Sequence, residues 1–112
     1  MTERFKVEFL DEAAEFMEGL DGKAREKIYF NIRKAQIIND AELFKKLTDN
    51  ILEFRTLFNK IHYRLFAFWD RTSGENIVVI ATHGLVKKTD KTPLTDIDKA
   101  ERIRRRYFLQ KE

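Results

Sequence analysis

Apolar and polar residues alternate strictly from Phe5 to Phe9, the two-residue period of a half-buried strand. At Asp11 the period lengthens. Asp11 has the chemistry of a helix N-cap, and Ala14, Phe16, Met17 and Leu20 form an inward stripe behind it. Asp21-Gly22 breaks this helix, and a longer one follows in which Ala24, Ile28, Ile32 and Ala35 recur at spacings of four and three. Asn39-Asp40 interrupts again, and residues 41–46 predict a short helical turn leading to Leu47. Beyond it the pattern becomes β. Residues 51–58, 61–69 and 77–83 are rich in aromatic and β-branched side chains, separated by turn-like Asn59-Lys60 and by residues 70–76. Thr92-Pro93-Leu94-Thr95-Asp96 carries helix-start chemistry, and a closing helix is expected from about residue 96 to about residue 108. The order β-α-α-β-β-β-α predicts an α+β domain, an antiparallel meander packed on the N-terminal helices, with helices on one face.

The first hairpin of the meander yields the sharpest inference. If Asn59-Lys60 is a two-residue turn, Phe58 sits opposite Ile61, and counting outwards places Arg55 opposite Arg64. One face of the ribbon then shows Leu52, Phe54, Thr56, Phe58, Tyr63, Leu65, Ala67 and Trp69, which must face the core. The other shows Ile51, Glu53, Arg55, Leu57, His62, Arg64, Phe66 and Phe68. Like charges directly opposed across a ladder cost from a few tenths to about 1 kcal/mol. An anion bound between them would convert that repulsion into charge-assisted hydrogen bonds, and paired guanidinium forks suit a phosphate. The alternative is that Glu53 and Asp70 neutralise the pair within an exposed face.

Composition narrows the partners. The 112 residues suit one domain over 1–112, and 43% apolar content is ordinary for a globular chain. Charged residues reach 37% yet leave a net charge of only +3. Residues 1–50 carry 9 basic and 11 acidic residues, net −2, whereas residues 51–112 carry 13 and 8, net +5. The positive field therefore belongs to the half that holds the arginine pair. With no cysteine and only His62 and His83, thiolate chemistry is excluded and no metal or other cofactor is expected. The charged start, Met1-Thr2-Glu3-Arg4-Phe5-Lys6, has no signal-peptide pattern, and the longest uncharged run, residues 76–86, is too short to span a bilayer. A soluble, cytoplasmic protein without membrane partners is expected.

Basic residues gather around the proposed anion site. Lys87, Lys88 and Lys91 follow the last strand, and Lys60 and Arg71 sit in the turns. Lys60, Lys88, Lys91 and Arg71 are candidate RNA contacts, although a lysine cluster also serves as a solvated loop. His83 shares the arginine face if Ala81 falls opposite Arg64, and a one-residue shift puts it on the core face instead. His62 shares the Arg64 face, where a lone strand histidine is more often a surface residue than a catalyst. Phe66 and Phe68 either stack on bases or lie under the C-terminal helix, which must bury Ile97, Ala100 and Tyr107. Arg102, Arg104, Arg105 and Arg106 suit either RNA or ribosome contact or a solvated last turn.

Leu52-Glu53-Phe54-Arg55, Tyr63-Arg64-Leu65-Phe66 and the segment from His83 to Pro93 resemble the RelE/ParE toxin superfamily, specifically its phage-derived HigB-like branch. The similarity extends over nearly the whole chain. It implies a RelE-like fold and a toxin of a type II toxin–antitoxin pair: a ribosome-dependent, metal-free mRNA interferase neutralised by a helix-turn-helix, HigA-like antitoxin. Carried over by motif, Arg64 is the phosphate-contacting arginine and Arg55 the basic residue on the preceding strand. His83 and the Lys87-Lys88 pair fall where relatives place further catalytic or phosphate-binding groups, and His83 is the expected proton-transfer residue. Better-known members also have a tyrosine soon after the last strand, and residues 84–95 contain none. The same fold in ParE relatives inhibits DNA gyrase without cleavage, and a non-catalytic RNA-binding domain is a further alternative.

Overall fold

In the computed structural model, which describes residues 2–74 and 76–111, the opening alternation is strand β1 (Lys6–Phe9). Met1 of the charged start and Glu75 of the expected 70–76 turn lie outside the described residues. Leu10 still donates its N–H to the Ala81 carbonyl as a strand residue would, and its own carbonyl accepts from Ala14. Helix α1 (Asp11–Glu18) therefore begins one residue earlier than the Asp11 cap implies, with Leu10 at the cap position. Asp11 is its first residue, and its charge faces the positive helix end. Of the expected stripe only Met17 is fully buried, while Ala14, Phe16 and Leu20 are half-buried; Ala13, which the stripe did not include, is fully buried beside Met17. Helix α2 (Gly22–Ile37) buries Ala24, Ile28, Ile32 and Ala35 as the spacing requires.

Residues 41–46 do not form the expected helical turn. Residues 41–43 make a turn, and Phe44–Lys46 is an additional strand, β2, paired with Lys46 opposite Leu52 and Phe44 opposite Phe54. The Phe44 ring stacks on Phe54 at 4.3 Å and meets Phe5 at 5.2 Å, so cross-strand aromatic packing overrides a short local helix preference. The order is thus β-α-α-β-β-β-β-α. Strands β3 (Leu52–Phe58), β4 (Ile61–Asp70) and β5 (Val78–Lys87) complete a mixed five-stranded sheet in the order β1-β5-β4-β3-β2, with β1 parallel to β5.

The hairpin register matches the count from the turn: Phe58 pairs with Ile61 and Arg55 with Arg64. Asn59 and Lys60 both have positive φ, 52° and 64°, as a two-residue hairpin turn demands. The face carrying Phe54, Tyr63, Leu65 and Ala67 packs with α1 and α2 into one core. The other face is also apolar over much of its length. Ile51, Phe66, Phe68 and Ile80 are fully buried there under Ala100, Ile97, Tyr107 and Phe108. The helix that covers them, α3 (Leu94–Lys111), starts two residues before its expected position because the Pro93 carbonyl accepts from Asp96 and Ile97. Helices therefore cover both faces, not one, and Phe66 and Phe68 lie beneath α3 where no base can stack on them.

Strand β5 runs four residues past the expected end, and a bulge interrupts its pairing with β4. Phe66 pairs with His83 but Ala67 pairs with Ala81, leaving Thr82 as the extra residue. Ala81 consequently falls opposite Ala67 and not Arg64. Strict alternation would then place His83 on the core face with Ala81; the bulge inverts the alternation and returns His83 to the arginine face. Further along β5, a Cβ at Gly84 would sit 2.2 Å from the Phe16 ring, so glycine is what lets α1 approach the sheet. Gly84→Ala is expected to cost about 1–3 kcal/mol, a Tm loss of several degrees by thermal melting. An unchanged Tm would show that Phe16 has room to move.

Candidate functional site

Because β3 and β4 are held in register by a two-residue turn, Arg55 and Arg64 share one face and one height on the sheet. That face is left uncovered here, since α3 packs over the far half of the strands. The result is an open cleft of about 400 Å³ lined by Glu42, Arg55, Leu57, His62, Arg64 and Asp90. Arg64 is almost fully buried and Arg55 about one-fifth exposed. Beneath them the buried Glu53 carboxylate lies 3.4 Å from Arg55 Nε and 3.6 Å from Arg64 Nε. Glu53 also accepts from Thr92 Oγ1 at 3.0 Å.

Above the pair sits a residue that the sequence did not single out. One oxygen of Asp90, Oδ1, accepts from Arg55 Nη2 at 2.7 Å and from Arg64 Nη2 at 2.5 Å. His62 Nδ1 lies 3.8 Å from the same oxygen. The Arg55 guanidinium, with Arg64 and His62 beside it, holds the Asp90 carboxyl below the usual carboxylate range. Two cations and an imidazole thus converge on one oxygen position, which is the geometry of an oxyanion site. The like-charge opposition is relieved by Glu53 from below and Asp90 from above. Asp70, the other expected neutraliser, is elsewhere: it accepts from Tyr107 Oη at 2.6 Å and Lys111 Nζ at 2.8 Å.

The other candidates divide by position. Lys87 pairs with His62 at the cleft edge, and its Nζ donates to the Lys91 carbonyl, closing the loop that carries Asp90. Lys88 and Lys91 are exposed on that loop, and Lys60 is exposed at the hairpin tip two residues from His62. Arg71 is not part of the cluster. It lies seven residues along from Arg64, about 23 Å at strand spacing, and its guanidinium stacks over Trp69 at 4.9 Å. His83 shares the arginine face but not the cleft. It is 2% exposed, stacks on Phe66 at 4.8 Å, and is bonded by Thr82 at Nδ1 (2.9 Å) and by Asp96 at Nε2 (3.1 Å). Burial pushes its pKa down against the opposing pull of Asp96. His62, passed over as a surface residue, is the histidine that lines the cleft. Tyr107 is occupied with Asp70, and the α3 arginines are partly committed: Arg104 bonds Glu101 at 3.0 Å and lies over Phe108.

Among the described residues no group of three or more His, Cys, Asp or Glu side chains could hold a metal ion, and no helix is long and apolar enough to cross a membrane. Residues 15–105 match a family described as phage-derived protein Gp49-like. No curated protein and no solved structure matches the chain.

Proposed function

The chain belongs to the phage-derived Gp49-like family, and on that premise we propose that it is a toxin whose arginine cleft cleaves RNA. What supports this reading most is the convergence of Arg55 and Arg64 on one oxygen position, at 2.7 and 2.5 Å, in an open cleft that also holds His62. In this reading a phosphodiester oxygen of RNA takes that position. The neighbouring ribose 2′-oxygen attacks phosphorus, the bond to the 5′-oxygen breaks, and a 2′,3′-cyclic phosphate remains. The 2′-OH proton passes to a base and a proton reaches the departing 5′-oxygen. His62 is placed to carry one of these transfers. Arg55 and Arg64 oppose the negative charge gathering on the phosphoryl oxygens, and neither step requires a cofactor.

The finer assignment is a ribosome-dependent mRNA interferase of the RelE/HigB kind, neutralised by a helix-turn-helix antitoxin. A chain of 13.4 kDa has little surface for orienting a long substrate, and mRNA held in the ribosome would arrive already oriented. Purified protein, translating ribosomes and a defined mRNA test the chemistry. The 5′ fragment is expected to end in a 2′,3′-cyclic phosphate, and a 2′-deoxynucleotide at the cut site is expected to abolish cleavage. His62→Gln is expected to slow single-turnover cleavage by about 10² or more. Cleavage that persists at the deoxynucleotide overturns the 2′-OH mechanism, and wild-type rates in His62→Gln remove that residue from it.

A further inference from the structure

Asp90 is 68% exposed by side chain, yet its carboxylate reaches inward to the two guanidinium groups. Its segment is held at both sides. Lys87 Nζ bonds the Lys91 carbonyl, and Thr92 Oγ1 bonds Glu53. Arg64 Nη2 also donates to the Asp90 carbonyl at 3.2 Å. The loop is therefore shaped to deliver one carboxylate oxygen to the cleft. That oxygen fills the fork only in part. The Nε and Nη2 donors of a guanidinium point the same way and suit an anion presenting two oxygens. In Arg55, Nη2 is bonded to Asp90, while Nε is buried and makes no hydrogen bond among the described residues, although Glu53 Oε1 lies 3.4 Å away.

We propose that Asp90 is an internal occupant of the phosphodiester site, an autoinhibitory carboxylate that the RNA backbone must displace before Arg55 and Arg64 can grip it. The proposal rests on the reading of the cleft as an RNA phosphodiester site. It adds that the chain as folded is held in a resting state by its own loop, and that RNA affinity is set by a competition. A carboxylate with a single oxygen between two guanidiniums is a weaker match than a phosphodiester with two non-bridging oxygens, so the occupant is displaceable. The observed affinity is then the intrinsic affinity divided by the cost of withdrawing Asp90.

Binding of a fully 2′-O-methylated RNA tetranucleotide, which cannot be cleaved through the 2′-OH, tests this by fluorescence anisotropy. The variants are Asp90→Asn, Asp49→Asn, Arg55→Ala and the Asp90→Asn/Arg55→Ala double, each checked for an unchanged cooperative melt. Asp49→Asn makes the same charge change on a fully exposed side chain that pairs with Lys46. Asp90→Asn is expected to bind about tenfold tighter than wild type and Asp49→Asn within about twofold, with the Asp90→Asn gain lost in the double variant. Equal gains in Asp90→Asn and Asp49→Asn, or unchanged or weaker binding in Asp90→Asn, overturn the occupant while leaving the cleft. Wild-type affinity in Arg55→Ala overturns the cleft reading itself.

Discussion

Arg64→Ala is expected to reduce single-turnover RNA cleavage by about 10²–10³, the usual loss when one preorganised group is removed from a developing oxyanion. The effect is large because Arg64 is 3% exposed and cannot be replaced there by solvent. Truncation also leaves the buried Glu53 with one guanidinium fewer, so a loss of fold must be separated from a loss of chemistry. Arg64→Lys makes the separation. It keeps a positive charge between Glu53 and Asp90 but replaces the fork by a point charge, and a bidentate site treats that exchange as severe. The expected result is a cooperative melt near that of wild type with cleavage still reduced at least about tenfold. Cleavage at the wild-type rate in Arg64→Lys would show that charge alone suffices and that the fork is irrelevant.

The largest expected stability effect lies at the other end of β4. Asp70 is 3% exposed and accepts four hydrogen bonds, from the Thr72 N–H and hydroxyl, Tyr107 Oη and Lys111 Nζ. It thereby ties the last turns of α3 to the strand. Burial alone would raise its pKa, but the bonds from Lys111, Thr72 and Tyr107 outweigh burial and hold the carboxyl far below its ordinary range. Burial and the adjacent carboxylate push the Tyr107 hydroxyl pKa up in turn. Asp70→Ala removes the shared acceptor of the half-buried Tyr107 hydroxyl and the exposed Thr72 and Lys111 donors, and unties α3 from the strand. Lys111 is 41% exposed and can turn to water, which places the cost at about 3 kcal/mol, roughly 10–20 °C in Tm. The sign of the pH dependence follows from the depressed native pKa. The contribution is fully present above the unfolded carboxyl value, about 3.9, and drains away as acid titrates the native carboxylate below it. Wild type should therefore lose stability below about pH 4 more steeply than Asp70→Ala. Parallel acid profiles, or a Tm within a degree or two of wild type, would contradict the clamp.

The hairpin that builds the cleft was legible because two independent patterns agree on it: a two-residue turn and a face of apolar residues that must point inward. Helices α1 and α2 follow from periodicity in the same way, whereas the burial of Phe66 and Phe68 was one of two readings, argued from the need of the closing helix to bury Ile97, Ala100 and Tyr107. Strand β2 was not legible, since its three residues are stabilised by the Phe44–Phe54 stack, a contact that exists only once the sheet is assembled. His83 and His62 exchanged roles for a similar reason. A bulge adds one residue without leaving a mark on hydrophobic alternation, and the fate of His83 hangs on Thr82 being that residue. Asp90 was hidden among three lysines whose charge drew attention to the segment. No pattern in the sequence marked it: the strand was expected to end at residue 83, and only its extension to Lys87, opposite His62, sets the following loop where Asp90 reaches both arginines.

The central claim is that Arg55 and Arg64 grip RNA for cleavage, and mapping mRNA 5′ ends after brief induction in growing cells tests it most directly. Wild type is expected to generate new ends within translated reading frames, ends that vanish when translation initiation is blocked and are absent on induction of Arg64→Ala at equal protein level. Growth arrest by wild type with mRNA intact, or the same ends in both proteins, would contradict it.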